Sequence, residues 1–168
     1  SFPTRRSSDL TIATDGVTIA ADGRQCSGSE VITDNGRKII VKGGHIFAIA
    51  GGQAAAVAAI DWVLAGAIAD EAPKGGDHGW RLIVIDPNRR MVRYTNECPY
   101  PDEFYYPQSF AAGADFARAA MLCGKSPAEA VQLIIDNNLE TGTGGTVMVV
   151  NIDEALRTGA TPMMMAAE

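Results

Sequence analysis

The pattern of apolar and polar residues near the start of the chain predicts strands in pairs. Short β-type runs at residues 11–13 and 17–21 flank an Asp-Gly dipeptide, which is typical of tight hairpin turns. A second pair of such runs, at residues 37–41 and 45–50, is separated by two glycines. The folded part of the chain is therefore expected to start with two consecutive β-hairpins.

An Ala-rich segment after the second hairpin predicts a buried helix. The helix is expected from about Gln53, and its apolar run over residues 54–69 is interrupted by Asp61. Because apolar residues cover almost all of its sides, we expect neighbours on more than one side, as in a layered fold. The run is too short and too rich in Ala for a bilayer span, so no membrane partner is expected.

The second half of the chain predicts another hairpin, two helices and a final strand. These elements are expected at residues 81–86 paired with 90–95, at 114–122, from Ser126 onward, and within 144–152. Ser126 and Glu129 form a capping-box pattern with Pro at the first helical position. Beyond Asp153 no period indicates an element. In this order the elements predict an α+β domain with antiparallel sheets between helix layers.

Composition and charge restrict the classes of function. At 168 residues the chain fits a single domain, assigned to residues 11–168, that buries a core without disulfides or metals. Its net charge of −6, with scattered basic residues, argues against a nucleic-acid partner. Cys26, Cys98 and Cys123 are widely spaced and form no CxxC motif, which predicts reduced thiols and a cytoplasmic location.

No cofactor is expected from the motifs. The "CGKS" segment at residues 123–126 lacks the first glycine of a phosphate loop and follows a helix instead of a strand. The "TGTGG" segment at residues 141–145 lies between a helix and a following strand, the reverse of the order in dinucleotide-binding folds. His45 and His78 have no partner at ligand spacing, so both are interpreted as structural or solvent-facing.

Residues 1–10, "SFPTRRSSDL", are interpreted as a non-native or disordered leader. They show no apolar period, and the Arg pair is followed by no apolar segment of the kind found in signal peptides. The string resembles a translated sequencing-adapter sequence. We therefore expect these residues to contribute no core element.

Five segments together resemble the β-type subunits of proteasomes. They are "TIATDGVTIAADGRQ", "RKIIV", "FAIAGGQA", "AAGADFARAAML" and "ETGTGG", which occur in the family's order over about residues 11–152. The chain is most similar to the bacterial HslV-type peptidases and their small phage and bacterial relatives, which are N-terminal nucleophile hydrolases. The resemblance implies a four-layer α/β/β/α sandwich of two antiparallel sheets.

The resemblance also implies a charged pair at the site. In the family, the "AAD" motif supplies a carboxylate, here Asp22, and a lysine sixteen residues later supplies an ammonium, here Lys38. A lysine beside a threonine hydroxyl would lower the pKa of that hydroxyl, and the carboxylate would hold the lysine in place. From the residues alone, a salt bridge between neighbouring strands is the simpler interpretation.

The remaining family positions are matched in part. The oxyanion donor of the family is a backbone N–H in an "AGG" turn, which matches Gly51 here. Glu140 and Thr143 in "ETGTGG" match an acidic and hydroxyl pair, with Glu in place of the usual Asp. A serine of the family's site is replaced by Ala112.

The nucleophile in this family is a threonine at the first position, whose own α-amine acts as the base. Thr11 is taken as the candidate nucleophile. In an alternative alignment Leu10 occupies the nucleophile's position and Thr11 the second, because relatives commonly begin with two threonines followed by Ile-Ala. An acylated amine cannot accept a proton, so the chain with ten residues before Thr11 is expected to be inactive.

The implied function is that of a threonine-type endopeptidase subunit of a homo-oligomeric ring. Its expected partners are peptide or unfolded-protein substrates and an ATP-dependent unfoldase. One alternative is a structural ring subunit without turnover, favoured by Ala112 and by the absence of a first threonine. Another is an N-terminal nucleophile amidohydrolase that acts on a small molecule.

Overall fold

The computed structural model describes residues 10–27, 30–76 and 79–160. The strands are β1 Thr11–Thr14, β2 Thr18–Ala21, β3 Gln25–Ser27, β4 Glu30–Thr33, β5 Ile39–Lys42, β6 His45–Gly51, β7 Trp80–Ile85, β8 Met91–Thr95, β9 Asp102–Phe104, β10 Gln108–Ala111 and β11 Met148–Asn151. The helices are α1 Gln53–Leu64, α2 Ala114–Leu122, α3 Pro127–Asp136 and α4 Ile152–Thr158, and a 3-10 turn covers Ala69–Glu71. Within this described part, no helix has the length and apolar character needed to cross a membrane.

The predicted hairpins are confirmed. Strands β1 and β2 pair antiparallel, and the Asp15 carboxylate closes their turn by accepting the N–H groups of Val17 and Thr18. Strands β5 and β6 form the second hairpin, and β7 and β8 the third. The capping box is confirmed as well, because Ser126 accepts from the N–H of Glu129 while Glu129 accepts from that of Ser126.

Several elements differ from the prediction. The β3–β4 hairpin was not predicted, and strands β9 and β10 lie in a segment whose prolines indicated a loop. The seven-residue helix α4 occupies the segment that showed no period. Its start is nevertheless encoded locally, because the Asn151 side chain accepts the N–H of Glu154 as an N-cap.

The strands form two large antiparallel sheets. One has the order β10-β1-β2-β11 and the other the order β5-β6-β7-β8-β9. The β1–β10 pairing aligns Thr11 with Ala111, so the start of β1 lies beside the chain that enters α2. Mixed helices and antiparallel sheets confirm the α+β class.

Three groups of buried apolar residues hold these elements together. The first draws Ile12 and Ile19 from the four-stranded sheet and Ile46 and Ile83 from the five-stranded sheet. The second joins α1 to the five-stranded sheet. The third joins α2 and α3 to the four-stranded sheet. Both sheets therefore bury side chains on two faces.

Leu10, the last residue of the assigned leader, is packed in the core. This residue is 5% exposed and belongs to the core shared by the two sheets, whereas residues 1–9 lie outside the described residues. Ile12 belongs to the same core, and Ala13 belongs to the core under α2 and α3. Because side chains alternate along a strand, Leu10 and Ile12 face the other sheet while Thr11 and Ala13 face the helices.

Candidate active site

The Asp22 carboxylate lies at the end of β2 and is fully buried. Its Oδ1 accepts the backbone N–H of Thr11 at 3.0 Å and the Lys38 ammonium at 2.9 Å. Its Oδ2 accepts the backbone N–H groups of Gly144 at 3.0 Å and Arg24 at 3.3 Å. One buried carboxylate therefore accepts hydrogen bonds from four segments of the chain and holds them together.

The Lys38 ammonium was predicted to contact Asp22, and that contact is confirmed. The Lys38 side chain is 4% exposed and lies just before β5. Burial lowers the pKa of Lys38, and the neighbouring carboxylate opposes this change only in part. An amine of this kind gives up its proton more readily than a surface lysine, and in its protonated form it stabilises a nearby developing anion.

The Thr11 hydroxyl points away from this pair. Thr11 is fully buried, and its Oγ1 donates to the carbonyl of Ala112 at 2.6 Å and lies 2.9 Å from Oγ1 of Thr143. Within the described part of the chain, no hydrogen bond joins this hydroxyl to Lys38. Ala112 thus supplies a backbone acceptor for the Thr11 hydroxyl.

The Gly51 turn connects β6 to α1. Gly51 has φ +86°, which favours glycine, and a Cβ there would lie 2.6 Å from the carbonyl oxygen of Gly79. The next N–H, that of Gly52, donates to the same carbonyl at 2.8 Å. The turn lies near the charged pair, because the N–H of Ile49, two residues earlier, donates to the carbonyl of Lys38.

The structure thus connects four of the predicted site residues, Thr11, Asp22, Lys38 and Thr143, by hydrogen bonds. Glu140 is half-buried and joins through its backbone carbonyl, which accepts the N–H of Thr143. Across the described ranges, no group of three or more His, Cys, Asp or Glu side chains could hold a metal ion. All three cysteines are free thiols, His45 begins β6, and His78 lies outside the described residues.

Sequence reasoning missed the ion pair between Arg24 and Asp34. The guanidinium Nε lies 2.8 Å from Asp34 Oδ1, and Nη1 donates to the carbonyl of Thr141 at 3.3 Å. A Cβ at Gly144 would lie 2.4 Å from Arg24 Cζ, so the guanidinium covers that glycine. The arginine two residues after Asp22 was a signal that could have been used.

Comparison with known proteins gives structural matches only. The sequence matches no protein-family model and no curated protein sequence. The structure is similar to eukaryotic HslV from Trypanosoma brucei, with a TM-score of 0.61 and 15% identity over 84% of this chain and 98% of that chain. It is also similar to Thiobacillus denitrificans BPH in complex with epoxomicin, with a TM-score of 0.56 and 17% identity over 85% and 98% of the two chains. The chain has an HslV-like fold.

The HslV-like fold confirms, at the level of architecture, the resemblance found in the five sequence segments. The matches extend over nearly the whole of each neighbour, so the likeness concerns the complete domain.

Proposed function

We propose that this HslV-like fold is a threonine-type peptidase scaffold whose nucleophile position is residue 10. The observation that carries the proposal is the bridging role of Asp22 Oδ1. That single oxygen accepts both the Lys38 ammonium and the N–H of Thr11, the atom directly after residue 10. The backbone next to residue 10 is therefore linked to the amine of lowered pKa through this one oxygen, and the Leu10 side chain lies in the core shared by the two sheets.

Thr11 is the weaker candidate for the nucleophile. Its hydroxyl is fully buried on the helix side of β1 and is already bonded to Ala112 and Thr143. Its backbone nitrogen donates to Asp22, so this nitrogen is held as a hydrogen-bond donor. These contacts support a role for Thr11, with Thr143, in fixing the start of β1.

The proposed reaction is peptide hydrolysis through an ester. A threonine hydroxyl at position 10 attacks the peptide carbonyl while its own free α-amine takes the proton, and the Gly51 N–H stabilises the oxyanion. The C–N bond then breaks, and the proton passes from the α-ammonium to the leaving amine. Water hydrolyses the ester with the same amine as base. Lys38, held by Asp22, lowers the pKa of the hydroxyl throughout.

The present chain carries Leu10 at that position and a peptide bond before it. Leu10 offers no hydroxyl, and its nitrogen is an amide, so we expect no turnover from the chain as it stands. The same two features, together with Ala112, support the second candidate function, a structural ring subunit without activity.

The likeness to HslV also supports a proposal for assembly. We propose that the two sheets pack face to face between the helices as a four-layer α/β/β/α sandwich. We also propose that the subunits form homo-oligomeric rings in the cytoplasm. Unfolded proteins would be the substrates and an ATP-dependent unfoldase the partner.

A neighbouring subunit could cover apolar surface on two helices, namely exposed Val57 on α1 and exposed Phe116 and Leu122 on α2. Sedimentation as a monomer at micromolar concentration would contradict the ring.

Three chains test the assignment of the nucleophile. The first is the present sequence, the second begins at Thr11, and the third begins at position 10 with Leu10→Thr after removal of an initiator Met. We expect only the third to cleave fluorogenic peptides, because it alone has a free amine and a hydroxyl at position 10. The loss of a general base alone costs about a hundredfold to ten-thousandfold in rate. Equal turnover by the second and third chains would refute the assignment, and cleavage of small amides alone would indicate an amidohydrolase.

A further inference from the structure

The carbonyl of Gly79 lies directly behind the Gly51–Gly52 turn. It accepts the N–H of Gly52 at 2.8 Å, and a Cβ at Gly51 would lie 2.6 Å from the same oxygen. Gly52 is the N-cap residue of α1, and no side chain caps this end of the helix. The bond between the Gly52 N–H and the Gly79 carbonyl therefore holds the peptide that follows Gly51, next to the Ala50–Arg81 pairing that holds the strand before it.

The Asn96 side chain holds the segment that contains this carbonyl. Its Oδ1 accepts the N–H of Trp80 at 2.9 Å, and its backbone N–H donates to the carbonyl of Trp80 at 3.3 Å. Strand β8 ends one residue earlier, so the Asn96 amide continues the β7–β8 pairing beyond the end of the strand. Gly79 has φ +65°, and a Cβ there would lie 2.7 Å from Asn96 Oδ1.

A second glycine encloses the other side of the Asn96 amide. A Cβ at Gly75 would lie 2.4 Å from Asn96 Nδ2, and the N–H of Gly79 donates to the carbonyl of Gly75 at 2.9 Å. The Asn96 amide therefore lies between the backbone at Gly75 and the backbone at Gly79, where a Cβ on either residue would overlap it. Its position fixes the position of Gly79.

We propose that Asn96 is a positioning residue for the oxyanion turn. It fixes Gly79, and the Gly79 carbonyl fixes the turn that presents the Gly51 N–H. Asn96 touches no reacting atom in this arrangement. The inference rests on the proposed function in one respect, the use of the Gly51 N–H to stabilise the oxyanion. Two measurements distinguish a failure of the positioning role from a failure of the proposed function.

The first measurement is amide hydrogen exchange in the present chain, which needs no activity. Asn96→Ala removes the acceptor of the Trp80 N–H and so loosens the segment that carries the Gly79 carbonyl. We expect the Gly52 amide, which donates to that carbonyl, to exchange about fivefold to tenfold faster, a change of the size of one weakened hydrogen bond. The Ile49 amide, which donates to Lys38, serves as the internal reference for general destabilisation. Asn96→Asp keeps an acceptor and should keep the protection of Gly52. Unchanged Gly52 exchange in Asn96→Ala would overturn the proposal.

The second measurement uses the active chain that begins at position 10 with Leu10→Thr. We expect Asn96→Ala to lower kcat about tenfold to a hundredfold with little change in KM, because a displaced oxyanion donor acts on the transition state. Asn88→Ala, in the turn at the other end of the β7–β8 hairpin, is the matched control and should be neutral. Asn96→Asp should restore most of kcat.

The two measurements separate the possible failures. If the active chain shows no turnover at all, the proposed function fails while exchange still decides whether Asn96 positions the turn. If turnover is present and Asn96→Ala leaves kcat unchanged, Asn96 has no role in positioning the donor. A rise in KM with constant kcat would likewise overturn the proposal.

Discussion

The Asp22 junction and the Gly51 turn are the two halves of the candidate site, and they are built in different ways. The junction uses a buried carboxylate and ammonium together with backbone donors from separate segments. The turn itself is a backbone contact, packed so closely that Gly51 and Gly79 meet without side chains between them, and the Asn96 side chain lies behind Gly79. The junction should therefore be sensitive to charge and the turn to volume.

Removing the ammonium is the change with the largest expected effect. Lys38→Met leaves Asp22 buried without its charged partner, which typically costs about 3–5 kcal/mol of unfolding free energy. The additional change Asp22→Asn should recover part of this loss, because the stranded charge is then removed as well. Urea unfolding of the two single variants and the double variant measures the coupling. Additive effects would show that the two side chains do not depend on each other.

Adding a methyl group at the turn should have the next largest effect. Gly51→Ala combines the cost of a left-handed backbone, about 1–3 kcal/mol, with a contact at 2.6 Å to backbone. Gly124→Ala is the matched control, since Gly124 has a similar φ of +95° and no atom within 4 Å of a Cβ. We expect Gly51→Ala to be clearly the less stable of the two by thermal unfolding. Equal stabilities would mean that the turn is not tightly packed.

The pH dependence of stability gives the smallest expected effect and concerns the junction alone. Because the folded chain lowers the pKa of Lys38 from 10.5, the folded state binds this proton less readily than the unfolded state. The unfolding free energy should therefore rise with pH from the lowered pKa towards 10.5. The Tyr94 and Tyr106 pKa values are raised by burial and oppose this trend only above pH 10.

Below pH 10 the two tyrosines do not oppose the rise that we expect from the lysine. The slope has an upper limit of about 1.4 kcal/mol per pH unit for one group. Lys38→Met should lack the rise, whereas Gly51→Ala should keep it. A rise of the same size in Lys38→Met would assign it to another group.

The sequence was sufficient for the parts of the fold that depend on local patterns. The Asp15 turn, the Ser126 cap and the bounds of α2 follow from neighbouring residues, and the Asp22–Lys38 contact follows from the spacing within a resembling motif. The helix α4 has a cap at Asn151 but is too short to show a period.

The partners of Thr11 could not be predicted in the same way. Ala112 and Thr143 are 101 and 132 residues away along the chain and reach Thr11 only through strand pairing and the packing of a loop. Apolar periodicity identifies the two faces of a strand but not the strand beside it. For the same reason the contact between Asn96 and Gly79 required the structure.

The position of the nucleophile is the central claim, and chemical labelling tests it most directly. The chain that begins at position 10 with Leu10→Thr would be treated with an electrophilic peptide vinyl sulfone, digested and mapped by mass spectrometry. We predict a single adduct on the residue at position 10, and its loss in Lys38→Met. An adduct on Thr11, or on another residue, would contradict the assignment of position 10 to the nucleophile.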